Sequence, residues 1–179
     1  MQPSGNQFVL GVAKSAAEGF ARVRVAGRGT CRETPTFELT LDALAAAGPW
    51  RRVRFDVGGC THMDSSFAGK LAGFARRSHR LPEPPRLELL GASESLRDNL
   101  DSLLVLRFFG PEAAPEPAGL REKIVDLIPA TQLERVRACR EAHQELIELG
   151  GENEQRFRSV VEGLTEEEGR LEAAAKAGA

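Results

Sequence analysis

The residues most capable of chemistry lie in one run, Cys60-Thr61-His62-Met63-Asp64-Ser65-Ser66. Val53, Phe55 and Val57 alternate with Arg52, Arg54 and Asp56, the period of a strand with one buried face. Gly58-Gly59-Cys60-Thr61-His62 reads as a short loop. A helix then opens near Ser65, because Phe67, Leu71, Phe74 and Ser78 fall on one face. Asp64 is placed as its N-cap, with a carboxylate to accept from the first-turn amides. Two hydroxyls, Ser65 and Ser66, thus stand at the positive end of a helix, where a phosphate is well accommodated.

The remaining candidates carry less. Zinc requires about four ligands in a recognisable spacing, and Cys60, His62 and Asp64 have no second cluster to join, so no metal is expected. His79 follows Arg76 and Arg77 in a last helical turn, where basic residues complement the helix dipole. His143 sits mid-helix with no Ser or Cys partner visible in sequence, and no nucleophile–base–acid set assembles from adjacent motifs. Gly27-Arg28-Gly29-Thr30 lacks both the dinucleotide-binding spacing and a Gly-Lys-Ser/Thr element, and reads as a loop. Gly69 and Gly73, beside Ala68 and Ala72, each cost a helix about 1 kcal/mol relative to Ala. Something must approach that helix closely, either the sheet or a partner.

Several elements must position these residues. Phe8 to Val12 and Phe20 to Ala26 read as strands joined by a hairpin turn. Thr34-Pro35 starts a helix with Thr34 as cap, and Phe37, Leu41, Leu44 and Ala45 form its buried stripe. Arg86 to Leu90 is a strand, Ser93 caps a helix carrying Leu96, Leu100 and Leu103, and Leu104 to Phe109 reads as the last strand. Strands alternating with helices imply an α/β sheet with right-handed crossovers after an antiparallel start. Pro111, Pro115 and Pro117 mark a linker over 111–119. Charge changes there too: residues 1–110 hold 15 Lys/Arg against 11 Asp/Glu, and residues 111–179 hold 9 against 15. Beyond it the sequence reads as helix only. Leu120, Ile124, Leu127 and Ile128 form one stripe before Pro129, and Thr131 with Glu134 makes a capping box for the next. After Gly150-Gly151, Phe157, Val160, Val161 and Leu164 form a third stripe, and Thr165 with Glu168 suggests a further cap. The expected domains are therefore 1–110, α/β, and 120–179, a helical extension.

The 41% apolar and 28% charged residues are ordinary for a globular chain. No apolar run reaches the ~20 residues of a membrane span, and no secretory leader is visible near the start. Three widely spaced cysteines fit reduced thiols, hence a cytoplasmic setting. A net charge of −2 argues against a nucleic-acid partner.

Asp56-Val57, a spacer, then Met63-Asp64-Ser65-Ser66 before a helix rich in small residues resembles the STAS domain, and in particular the bacterial anti-sigma-factor antagonists. The resemblance runs from about Phe8 to Phe109, through Ala21–Gly27 as second strand and Leu96–Phe108 as the last helix-to-strand passage. It implies a STAS-like four- to five-stranded mixed sheet flanked by helices, here with a C-terminal helical extension. It also implies a cytoplasmic, non-enzymatic signalling module without cofactor. Its phosphoacceptor would be Ser65, with Ser66 in the second hydroxyl position, and its partner contacts Asp64, Ser65, Ser66, Phe67, Gly69 and Lys70. The implied partner is an anti-sigma factor or a serine protein kinase of the histidine-kinase-like ATPase type. An alternative is a constitutive adaptor that docks on a transporter ATPase, or assembles, as a homodimer for instance, through its helical tail. Two positions depart from the family pattern. Phe67 stands where the family has Gly directly after the second hydroxyl, and Gly29-Thr30 stand where many antagonists have an acidic residue after the second strand.

Overall fold

A computed structural model describes residues 7–111 and 114–177. Five strands, β1 (Val9–Ser15), β2 (Phe20–Gly29), β3 (Arg52–Met63), β4 (Arg86–Leu90) and β5 (Glu122–Val125), make one mixed sheet in the order β4-β3-β2-β1-β5. β1 is antiparallel to both β2 and β5, while β2, β3 and β4 run parallel. The crossovers are α1 (Thr34–Ala46) and α2 (Ser65–His79); α3 (Glu94–Ser102) follows β4, and α4 (Gln132–Ile147) and α5 (Asn153–Ala177) close the chain. No helix among the described residues is long and apolar enough to cross a membrane.

The two faces of the sheet differ in chemistry. Ala21, Val23, Val25, Val53, Phe55 and Val57 are buried in one core with Phe37, Leu41 and Leu44 of α1 and Phe67, Leu71 and Phe74 of α2. On the other face one row runs in register across all five strands: Glu122, Ala13, Arg22, Arg54, Glu88. Glu88 is fully buried and accepts from Arg54 at 2.9 Å, so its charge has a partner where water cannot reach it. Arg52 and Arg54 also donate to the carbonyls of Ala114 and Pro115, which lays the proline-rich segment across this face.

Several elements differ from the sequence expectation. Leu104–Phe109 is not a strand. Leu104 takes a left-handed φ of 62°, which no strand tolerates, and Leu106–Phe108 coil into a 3-10 turn. The fifth strand comes from the segment expected to be helical, 120–128. Between Gly119 and Pro129 a helix has room for only about two and a half turns, whereas Glu122–Val125 gains a backbone partner for every residue along the open edge of β1. The two glycine-rich stretches expected as loops are strand. Ala26 pairs with Gly59, Gly27 with Cys60 and Gly29 with Met63, across two register shifts. A Cβ on Gly59 would stand 2.8 Å from that of Ala26, so only glycine allows this approach. The N-cap position of α1 falls on Glu33 rather than Thr34, and no side chain caps it: the Glu33 carboxylate turns back to hold the amide and hydroxyl of Thr30. Thr165 caps nothing: α5 runs through it, and its hydroxyl donates to the Val161 carbonyl one turn back.

Candidate functional site

The junction between β3 and α2 is pinned by groups from three other parts of the chain. The Asp64 amide donates to the carbonyl of Gly29 at the end of β2, and the Asn99 side chain on α3 donates to that of Met63. Asp64 is the N-cap of α2, as expected: one carboxylate oxygen accepts from the amide of Phe67 (2.9 Å), the other from that of Cys31 (2.7 Å) in the turn before α1. Ser65, the first residue of α2, therefore has little freedom in its backbone.

The hydroxyl of Ser65 donates to His143 Nε2 at 2.9 Å, and His143 Nδ1–H donates to the carbonyl oxygen of Cys139 at 2.7 Å. Nδ1 must carry the ring proton to serve a carbonyl, which leaves the Nε2 lone pair facing Ser65. Burial lowers the His143 pKa, against the opposing pull of the Cys139 carbonyl and the Asp64 charge, so the ring is neutral near pH 7. A serine, a neutral imidazole and a carbonyl that fixes its tautomer form a nucleophile, base and orienting group. His143, for which no Ser or Cys partner was visible in the sequence, thus has one in Ser65. The partner lies 78 residues away, and only the fold brings α4 back to it.

α4 lies directly on α2, and the glycines show how closely. A Cβ on Gly69 would come within 2.7 Å of the carbonyl carbon of Ala142; on Gly73 it would meet the side chain of Glu145 at the same distance. The close approach demanded by the small residues is that of a helix from the same chain. Lys70, 6% exposed, is held by Glu38 of α1 (2.5 Å) and Glu141 of α4 (3.0 Å). Arg76 reaches Glu145 and Glu148. At the far end of α4 the side chain of buried Asn153 donates to the carbonyls of Leu103 and Leu146, tying the start of α5 to the α/β unit.

The two departures from the family pattern turn out to be one packing unit. Phe67 is fully buried, stacked on Phe37 at 4.0 Å between ring centroids and edge-on to Phe8. A Cβ on Gly29 would stand 2.9 Å from the Phe67 ring. Phe67 can occupy this slot because Gly29 leaves it open, and an acidic side chain there would collide with the ring. Ser66 is buried too, beside Cys139, and burial pushes the Cys139 thiol up to about 11. Of the residues singled out from sequence, Asp64 and Ser65 are half-buried, while Ser66, Phe67, Gly69 and Lys70 are enclosed.

Ser65 opens on a cavity of about 470 Å³ bordered also by Thr61, His62, Asn99, Arg156 and Phe157. The Phe157 ring lies 5.1 Å from that of His143, and the Arg156 guanidinium sits over Phe157 at 6.0 Å. Arg156 makes no ion pair among the described residues. His62 is exposed at the end of β3, and His79 meets the Phe108 carbonyl. No group of three or more His, Cys, Asp or Glu that could hold a metal occurs among the described residues. Arg156 was not legible as a neighbour of Ser65, since nothing local in the sequence links α5 to α2. No known family model matches this chain, and no curated protein matches it.

Proposed function

We propose that this chain is a cytoplasmic, STAS-like signalling module, akin to the anti-sigma-factor antagonists, whose binding to a partner is governed by phosphorylation of Ser65. The observation that carries the reading is the Ser65 hydroxyl, held at the start of α2, facing a cavity and hydrogen-bonded to a neutral imidazole. The mixed sheet and the strand–cap–helix junction around Asp64 agree with the resemblance. In the transfer step a kinase presents ATP, and a bond forms between Ser65 Oγ and the γ-phosphorus. The bond from that phosphorus to the bridging oxygen breaks and ADP leaves. The hydroxyl proton passes to His143 Nε2, already within hydrogen-bond reach. The partner is an anti-sigma factor or the kinase itself, of the histidine-kinase-like ATPase type.

The test is affinity capture from the native host with intact-mass analysis and phosphosite mapping. One phosphate on Ser65, lost in Ser65→Ala and retained in Ser66→Ala, supports the reading, as does a partner bound by Ser65→Ala and released by Ser65→Asp. Covalent labelling of Ser65 by a fluorophosphonate together with ester turnover would replace it with a hydrolase. Equal partner binding by wild type and both alanine variants, with no phosphate in cells, would favour the constitutive adaptor. That second reading draws on one observation: Gly69 and Lys70, expected at the partner surface, already lie beneath α4.

A further inference from the structure

We infer that His143 and Arg156, both carried by the C-terminal helices, form a binding site for the phosphate on Ser65, so that phosphorylation clamps α4 and α5 over α2. This rests on Ser65 as phosphoacceptor and adds what reads the mark: the protein's own helical extension. Ser65 Oγ lies 2.9 Å from His143 Nε2, and the cavity beyond it is about 470 Å³, ample for a phosphoryl group. The cavity wall carries Arg156, a cation whose guanidinium meets only the Phe157 ring and has no carboxylate among the described residues. Asp64 is the carboxylate on the cavity wall, but both its oxygens are committed to amides, those of Phe67 and Cys31.

The proton balance favours retention. The proton that leaves the Ser65 hydroxyl becomes the Nε2–H of an imidazolium that donates to a phosphate oxygen, while Nδ1–H stays on the Cys139 carbonyl. Burial disfavours that imidazolium in the unmodified protein, and a phosphate dianion beside it reverses the preference. The groups facing this pair are Asp64 at the N-cap of α2, Cys139 on α4, Cys31 from the turn before α1, His62 on β3 and Arg156 on α5. The helix over α2 then stays in place when Ser65 is phosphorylated, and a partner that needs α2 gains access when it is not.

The experiment installs phosphoserine at position 65 of the full chain by codon reassignment, so no kinase is needed and the result does not depend on whether cells modify Ser65. Phosphorus NMR follows the second ionisation of the phosphate against the same protein unfolded in urea. In the folded protein it is expected to fall by about one pH unit. Arg156→Ala, at an exposed position that the fold does not rely on, should return most of that shift, and Arg156→Lys should keep it. Amide exchange along α4 should slow about tenfold on phosphorylation, equivalent to about 1.4 kcal/mol. An ionisation equal to that in urea and indifferent to Arg156→Ala overturns the inference, as does faster exchange in α4 and α5, which would mean that phosphate springs the helices open.

Discussion

Gly69→Ala and Gly73→Ala should have opposite outcomes, although the two substitutions are chemically identical and one helical turn apart. Each gains about 1 kcal/mol of helix propensity. At Gly69 the new methyl would sit 2.7 Å from the Ala142 carbonyl carbon, where about 3.5–4.0 Å is comfortable, so the α4 backbone must retreat by roughly 1 Å. That retreat stretches the 2.9 Å bond between Ser65 and His143 and the 3.0 Å pair between Lys70 and Glu141. Overpacking of this kind costs about 1–3 kcal/mol, so the net change is unfavourable by up to about 2 kcal/mol and concentrated in α4. At Gly73 the obstacle is only the end of the Glu145 side chain, which can swing aside and weaken its contacts with Arg76 and Arg77. Partly exposed pairs of that sort contribute about 0–1 kcal/mol, so Gly73→Ala should be neutral or stabilising. Urea unfolding reads the stability and amide exchange reads α4. If Gly69→Ala leaves α4 as protected as in wild type while raising stability as Gly73→Ala does, α4 is not seated against α2 as described.

Phe67→Ala should destabilise by about 3–5 kcal/mol in urea unfolding, and Gly29→Ala, harmful alone, should lose its cost in that background because the ring it strikes is gone. Acid should loosen the protein through His143. Its folded pKa lies below the unfolded 6.5, so the unfolded chain binds more protons there, and stability falls as pH drops through and below 6.5; melts of His143→Gln should lack that component. Alkylation at pH 8 should label exposed Cys31 first, with Cys139, buried and pushed up to about 11, reacting only as the protein unfolds; equal rates for the two would contradict the packing of α4.

What the sequence disclosed was local in its physics. Asp64, Ser93 and Thr131 were recognisable as caps because a cap and the amide it serves are three residues apart, and all three make that bond. The alternation in Arg52–Val57 and the spacing from Phe67 to Phe74 predict β3 and α2 for the same reason. What was hidden depends on closure in space. Ile124 and Ile128, four residues apart, suit a helix, but the vacant edge of β1 decides otherwise, and both are half exposed. Leu104 adopts a backbone that a β-prone apolar residue does not announce. The pairing of Ser65 with His143 needs α4 laid along α2, and the only trace of it in the sequence was two glycines whose counterpart could not be named.

β5 has a consequence for how copies of this protein meet. An unpaired sheet edge invites a strand from another molecule, the usual route to swapped dimers and aggregates. Here Leu10–Ala13 of β1 are already paired by Val125–Glu122, and on the opposite side the Gly110 amide donates to Leu87 and bridges beside the five-residue β4. The edges left outermost are therefore short, the four residues of β5 and the five of β4, and a short edge is a poor template for strand addition. Homotypic assembly, where it occurs, is then expected to use side-chain surfaces such as the outer face of α5, where Val160 is exposed, and should dissolve on dilution rather than ripen into fibres.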